Sequence, residues 1–184
     1  MRILFAAIAG IILTLWTSPV RAGQTETIDG YVPVQIYNSL LGRTLDAQVS
    51  VYVDDDGAAY INVNQTRGYI SPKDVTKLLA LIVKAEQWAI KAGNDNLEVK
   101  KELGSVEKKF SEVLTSGVSL NFVSAKNGQD AFVVMKVEDF DNMFMKETVI
   151  MSSANFPTFE ELLNKVPQAV AKLKKNKEIG KEFE

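Results

Sequence analysis

The chain has 184 residues with no cysteine and no histidine, and 21 basic residues against 23 acidic ones give it a net charge of −2. Without imidazole or thiol it can build no Ser-His-Asp triad, no Cys-His pair and no ordinary zinc site, and no disulfide can staple it. The acidic balance argues against non-specific attraction to nucleic acid or anionic lipid.

Residues 1–22 have the three parts of a cleavable secretory signal in order. Arg2 is the positive start, Ile3 to Trp16 is an unbroken apolar run, and Thr17-Ser18-Pro19-Val20-Arg21-Ala22 is a polar end with a small residue at the cleavage point. The apolar run is about 14 residues long where a membrane-spanning helix needs roughly 20. Cleavage after Ala22 leaves residues 23–184, with 19 basic residues against 23 acidic ones and a net charge of −4. We therefore expect an exported, periplasmic or extracellular protein whose mature part has no stable membrane insertion. Its size suits one core and one domain.

In the mature part, residues 23–30 are polar and read as a flexible N-terminus, followed by a globular domain over residues 31–173. Tyr31 to Tyr37 reads as a short edge strand, since Pro33 would be tolerated at a sheet edge. Val49, Val51 and Val53 alternate with polar residues, Asp54-Asp55-Asp56-Gly57 turns, and Ala59, Ile61 and Val63 alternate again. This is a β-hairpin. Ser71-Pro72 then opens a helix whose Val75, Leu78, Leu79, Ile82, Ala85, Ala89 and Ala92 recur at helical spacing until Gly93.

The charged stretch from Leu97 to Leu114 reads as a connecting segment with helical pieces. Val118, Leu120 and Phe122 begin a second hairpin that turns at Lys126-Asn127-Gly128 and returns through Ala131 to Val137 as a central strand. A further strand runs from about Phe144 to Met151 and sets Met143, Met145, Val149 and Met151 on one face. A capping box, Thr158-Phe159-Glu160-Glu161, opens the last helix, with Phe159, Leu162, Leu163, Val166, Val170 and Leu173 as its apolar stripe and Pro167 inside it. Residues 174–184 are lysine-rich and read as a solvated tail.

These elements give an α+β fold: an antiparallel sheet built from hairpins, with two main amphipathic helices packed on one face. The order hairpin then helix occurs in both halves, as a duplicated unit would have it. The candidate functional residues are few. Tyr52 and Tyr60 lie on the hairpin face opposite the valines and could form an aromatic patch for a glycan or a protein. Met143, Met145 and Met151 could line an adaptable groove between sheet and helices for a small apolar ligand or a protein.

The acidic groups, Asp54-Asp55-Asp56 and Glu138-Asp139 with Asp141, fall at turns and read as solvated turn residues rather than metal ligands. We expect no cofactor, no catalytic residue set and no metal. The expected function is a non-enzymatic binding module of the cell envelope. The alternative is a small hydrolase of an envelope polymer, which would need two carboxylates facing each other across a cleft.

Overall fold

The computed structural model describes residues 25–39, 41–54, 56–109, 115–139 and 145–181. The expected signal over residues 1–22 lies outside the described residues, as does Met143. Among the described residues the order is β1 (Thr25–Thr27), β2 (Val32–Asn38), β3 (Arg43–Asp54), β4 (Ala59–Val63), β5 (Thr66–Ile70), α1 (Pro72–Asp95), β6 (Val99–Lys109), β7 (Thr115–Ala125), β8 (Asp130–Glu138), β9 (Lys146–Ser152) and α2 (Phe156–Lys181), with a 3-10 turn at Ser153–Asn155 leading into α2. The strands form one antiparallel sheet in the order β5-β4-β3-β2-β9-β8-β7-β6, with β1 paired to β3. The sheet curls into a nearly closed barrel, and strands outweigh helices.

Each half runs through four antiparallel strands and then a helix: β2 to β5 with α1, and β6 to β9 with α2. The helices cross over, for α1 packs on β6, β7 and β8, while α2 packs on β3 and β1. One continuous core results. Val49, Val51 and Ile61 of the first half and Leu120, Val133 and Met151 of the second meet Leu78 and Ile82 of α1 and Phe159 and Leu163 of α2. Fully burying each such side chain contributes roughly 1.5–3 kcal/mol, and neither half can bury its own stripe without the other's helix.

Several expectations are corrected. The stretch expected as a connecting segment with helical pieces is a strand from Val99 to Lys109, where β6 pairs with β7, and residues 110–114 lie outside the described residues. The alternation that would have marked this strand is broken, because a bulge between Glu102 and Gly104 resets the parity between Leu103 and Val106, both buried. The N-terminus is tied down, not loose. Thr25–Thr27 pair with Tyr52 to Asp54, Ile28 is buried and donates its N–H to the Val51 carbonyl, and Glu26 meets Lys172 of α2 at 2.6 Å.

The lysine-rich end is mostly exposed over residues 174–179 but helical, since α2 runs on to Lys181, and the helix start at Phe156 places the expected capping box inside it. Gly93 does not end α1, which continues to Asp95 and is capped by Asn96 in the left-handed conformation (φ 53°). Nor is β2 an edge strand: it lies between β3 and β9.

The barrel closes where β5 meets the ends of β7 and β8. Gly68 bridges to Asp139, and a Cβ on Gly68 would lie 2.6 Å from the Gly117 carbonyl oxygen and 3.0 Å from Val137 Cγ1. Around this contact the Arg67 N–H donates to Asp139 Oδ2 (3.0 Å) and the Tyr69 N–H to Ser116 Oγ (3.1 Å), while the Ser116 hydroxyl donates to the Glu138 carbonyl (3.0 Å). Ser116 and Asp139 are both buried. Asp139 is thus a structural acceptor in the closure and not a solvated turn residue.

Gly68→Ala should cost about 1–3 kcal/mol by forcing the seam apart, read as a lowered urea midpoint. Gly93→Ala, whose Cβ would meet the Gly128 carbonyl at an ordinary 3.7 Å, should be neutral or stabilising by up to about 1 kcal/mol because it replaces glycine inside a helix. Equal effects of the two substitutions would contradict this account of the closure.

Candidate functional site

Pairing between the two halves at β2 and β9 is short, being confined to Gln35 with Ile150 and Ile36 with Val149. Before Gln35 the strands part. Pro33 has no N–H to offer a neighbour, and the side chain of Asn155 donates to its carbonyl at 2.7 Å instead. The parting leaves two open clefts on the outside of the barrel, of about 560 and 640 Å³, which share Pro33, Val34 and Asp46 and so run together as one trough across β2. Gln35, Gln129, Phe132, Ile150, Ser152 and Asn155 line the first, and Tyr31, Gln48, Ser50, Asn62 and Asn64 line the second.

Alternation along β2 explains what the trough displays. Val32, Val34 and Ile36 point into the core, while Tyr31, Pro33, Gln35 and Tyr37 are exposed, with Tyr31 at 54% and Tyr37 at 50%. Across the sheet, Val134 pairs with Ile150, Ile150 with Gln35, and Gln35 with Asp46, which sets an apolar floor beside an amide and a carboxylate. Asn62 donates to Ser50 Oγ at 3.4 Å on the far side. Neither cleft is lined by a lysine or arginine. The outward row is legible in the sequence, since Tyr31, Gln35 and Tyr37 alternate with Val32, Val34 and Ile36, but the neighbours that make it a trough are not.

The sequence-derived candidates lie elsewhere. Tyr52 and Tyr60 pair across β3 and β4 on the outer face, and Tyr69, absent from the expected set, pairs with Tyr60 on β5. All three are half-buried. The Tyr60 and Tyr69 rings meet edge to face at 5.6 Å, Lys108 Nζ sits 4.9 Å from the Tyr69 ring, and the Tyr60 hydroxyl donates to Asp54 Oδ2 at 3.0 Å. Asp54 Oδ1 accepts from the N–H groups of Asp56 and Ala58, so this carboxylate organises its own turn, as the sequence suggests. Burial, followed by Asp54, Asp56 and Asp74, holds the Tyr69 phenol above its ordinary value.

Met151 is fully buried and Met135 beside it likewise, so the space between sheet and helices is core and not an open groove. Met145 is half-buried just before β9, where its carbonyl accepts from the Asp139 N–H at 3.3 Å.

A small apolar crevice of about 160 Å³ lies beside Trp88 of α1, with Phe122 as its floor and Leu97 and Val99 along one side. The two rings meet edge to face at 5.7 Å, and Lys84 and Lys101 sit over the indole at 4.8 and 5.2 Å. Two acids are pushed above the usual carboxylate range: Glu147 by burial, and Glu160 by burial and then by Glu86 on α1. Glu160 Oε1 is buried without a hydrogen-bond partner. Neither acid lines the trough. Among the described residues no three acidic side chains come together as a metal site, and no helix is long and apolar enough to cross a membrane.

No protein-family model matches this chain, and no curated protein matches it. Among solved structures it is similar to SsgB of Streptomyces coelicolor, in which mutations correlate to longitudinal cell division during sporulation. The two share 7% identity over 82% of this chain and 92% of that one, with a TM-score of 0.34. A likeness of that size carries neither function nor site residues across.

The Glu160 carboxyl predicts a pH-dependent stability. Its raised value means that the folded state favours the protonated acid, so its stabilising contribution is full below the ordinary Glu value and is lost as pH rises through the raised one. Glu160→Gln should therefore raise the thermal midpoint at about pH 7, and the gain should shrink towards zero by about pH 3, below the unfolded value. A gain that is the same at both pH values would remove the carboxylate charge as its cause.

Proposed function

We propose that this chain is an exported, non-enzymatic binding protein of the cell envelope, and that it takes its ligand in the trough on the outside of the barrel. The observation that carries the reading is the joined pair of clefts over β2, each of a volume that suits a bound molecule. The trough is half apolar and half polar. Phe132, Ile150 and Pro33 offer contact area, and Gln35, Gln48, Asn62 and Asn155 offer hydrogen-bonding groups that fix orientation. The place first favoured from the sequence, between sheet and helices, is packed solid by Met151, Leu78 and Phe159. Export rests on residues 1–22, whose charge, apolar run and small-residue end fit a cleavable signal.

Absence of cysteine makes the test simple, because any thiol introduced is the sole reactive one. The full chain is expressed with its first 22 residues in a bacterial host, as Gln48→Cys in the trough and as Asn164→Cys on the exposed side of α2. Maleimide labelling is then compared between the envelope and the purified protein. Gln48→Cys should label several-fold more slowly in the envelope than after purification, and Asn164→Cys should label alike in both. The mass should correspond to residues 23–184. Equal labelling of Gln48→Cys in the two states would overturn the trough as the binding site, and an uncleaved chain retained in the membrane would overturn export.

A further inference from the structure

Resting on that trough, the geometry points to its ligand: we propose that it binds an uncharged oligosaccharide. Charge comes first. The mature chain has 19 lysines and arginines, yet none lines either cleft, and the charged groups there are Asp46 and Asp130. Asp130 is already paired with Lys126 at 2.6 Å. An anionic ligand, whether nucleic acid, polyuronate or lipid headgroup, would meet the Asp46 carboxylate and no lysine or arginine in the lining. A purely apolar ligand would leave the amides of Gln35, Gln48 and Asn62 desolvated without partners.

A sugar meets both demands. Each amide offers two donors and an acceptor, which suit the paired donor and acceptor character of a ring hydroxyl, and Asp46 can accept from two neighbouring hydroxyls. The C–H faces of a pyranose are apolar and their hydrogens carry partial positive charge, so they pack against the negative face of an aromatic ring.

Tyr31 and Tyr37 supply such rings in the right places. Tyr31 lines the second cleft just before β2, and Tyr37 lies on β2 beyond the cleft lining, six residues on; each keeps half its surface in solvent. At about 3.4 Å per residue they stand roughly 20 Å apart along the strand, with Pro33 and Gln35 between them. That spacing fits a chain of several sugar rings laid along β2, stacked near its ends and hydrogen-bonded in the middle. With backbone fixed on or next to a strand whose Val32, Val34 and Ile36 are buried in the core, the two rings lose little conformational freedom on binding.

The test titrates the purified mature protein with linear hexasaccharides of glucose, N-acetylglucosamine and xylose, and with a hexameric polyuronate as the charged counterpart, followed by calorimetry. At least one neutral hexasaccharide should bind and the polyuronate should not. Tyr31→Ala and Gln48→Ala should each weaken binding about tenfold with an unchanged thermal midpoint, whereas Tyr52→Phe, outside the trough, should leave affinity unchanged.

Gln48→Lys should gain affinity for the polyuronate at the expense of the neutral ligand. Binding of the polyuronate alone, or of no neutral hexasaccharide, would overturn the proposal. If Gln48→Cys is still shielded in the envelope in that case, the trough stands with a different occupant; if it is not, both readings fall together.

Discussion

Closure of the sheet governs everything else in this molecule. Gly68 lets the edge strand β5 come within backbone contact of Gly117 on β7, where any side chain on Gly68 would hold the strands apart. The approach brings Arg67, Tyr69 and Ser116 into register with Asp139, and the buried Ser116 and Asp139 side chains both find partners there. A buried carboxylate that accepted nothing would cost several kcal/mol; here it accepts a backbone N–H that the edge strand would otherwise leave exposed. Once β5 is fixed, the inner faces of both halves enclose one volume, and α1 and α2 are the elements that fill it.

The exchange of helices follows from this closure. Because α1 packs on β6 to β8 and α2 on β3 and β1, each half completes its core with the other's helix, and the two cannot fold as independent units. The join on the opposite side of the barrel, between β2 and β9, is also short. Only two residue pairs connect β2 to β9, and Pro33 with its missing N–H sits where the strands separate. Where β2 and β9 part, the outer surface of the barrel becomes concave. A binding site at such a place needs no special loop, since the rigid strands on either side present its residues.

Much of the architecture is legible in the alternating apolar residues. Val49, Val51, Val53, Ala59, Ile61 and Val63 are buried as their period of two demands, and so are Val118, Leu120 and Phe122 and, in β8, the alternate residues Ala131, Val133, Met135 and Val137. The helical stripes are equally plain: Val75, Leu78, Ile82 and Ala85 on α1, and Phe159, Leu162, Leu163 and Val166 on α2. The signal fails where a tertiary partner replaces local pattern. In β6 the inward positions are Val99, Lys101, Leu103 and, after a bulge, Val106. Lys101 falls on the helix side yet stays exposed, its ammonium over the Trp88 ring, a contact that no local window can reveal. Thr25 to Thr27 form a strand only because β3 is long enough to pair with β1 and β2 in succession.

The candidate site divides in the same way. Exclusion of thiol and imidazole chemistry, the secretory pattern of residues 1–22 and the outward row Tyr31, Pro33, Gln35, Tyr37 are properties of residue type and spacing, and the sequence by itself determined them. It also determined that Met151 and Val149 share a face with the core, since in a strand a side chain's side depends on parity alone. Only the tertiary structure decided that Asp139 is buried, that Tyr69 joins Tyr52 and Tyr60, and that Gln35, Gln48, Asn62 and Phe132 line one trough. Those facts depend on which strands become neighbours and how sharply the sheet bends between them. Strand order and curvature are fixed by contacts between residues far apart in the chain, and local periodicity carries no record of them.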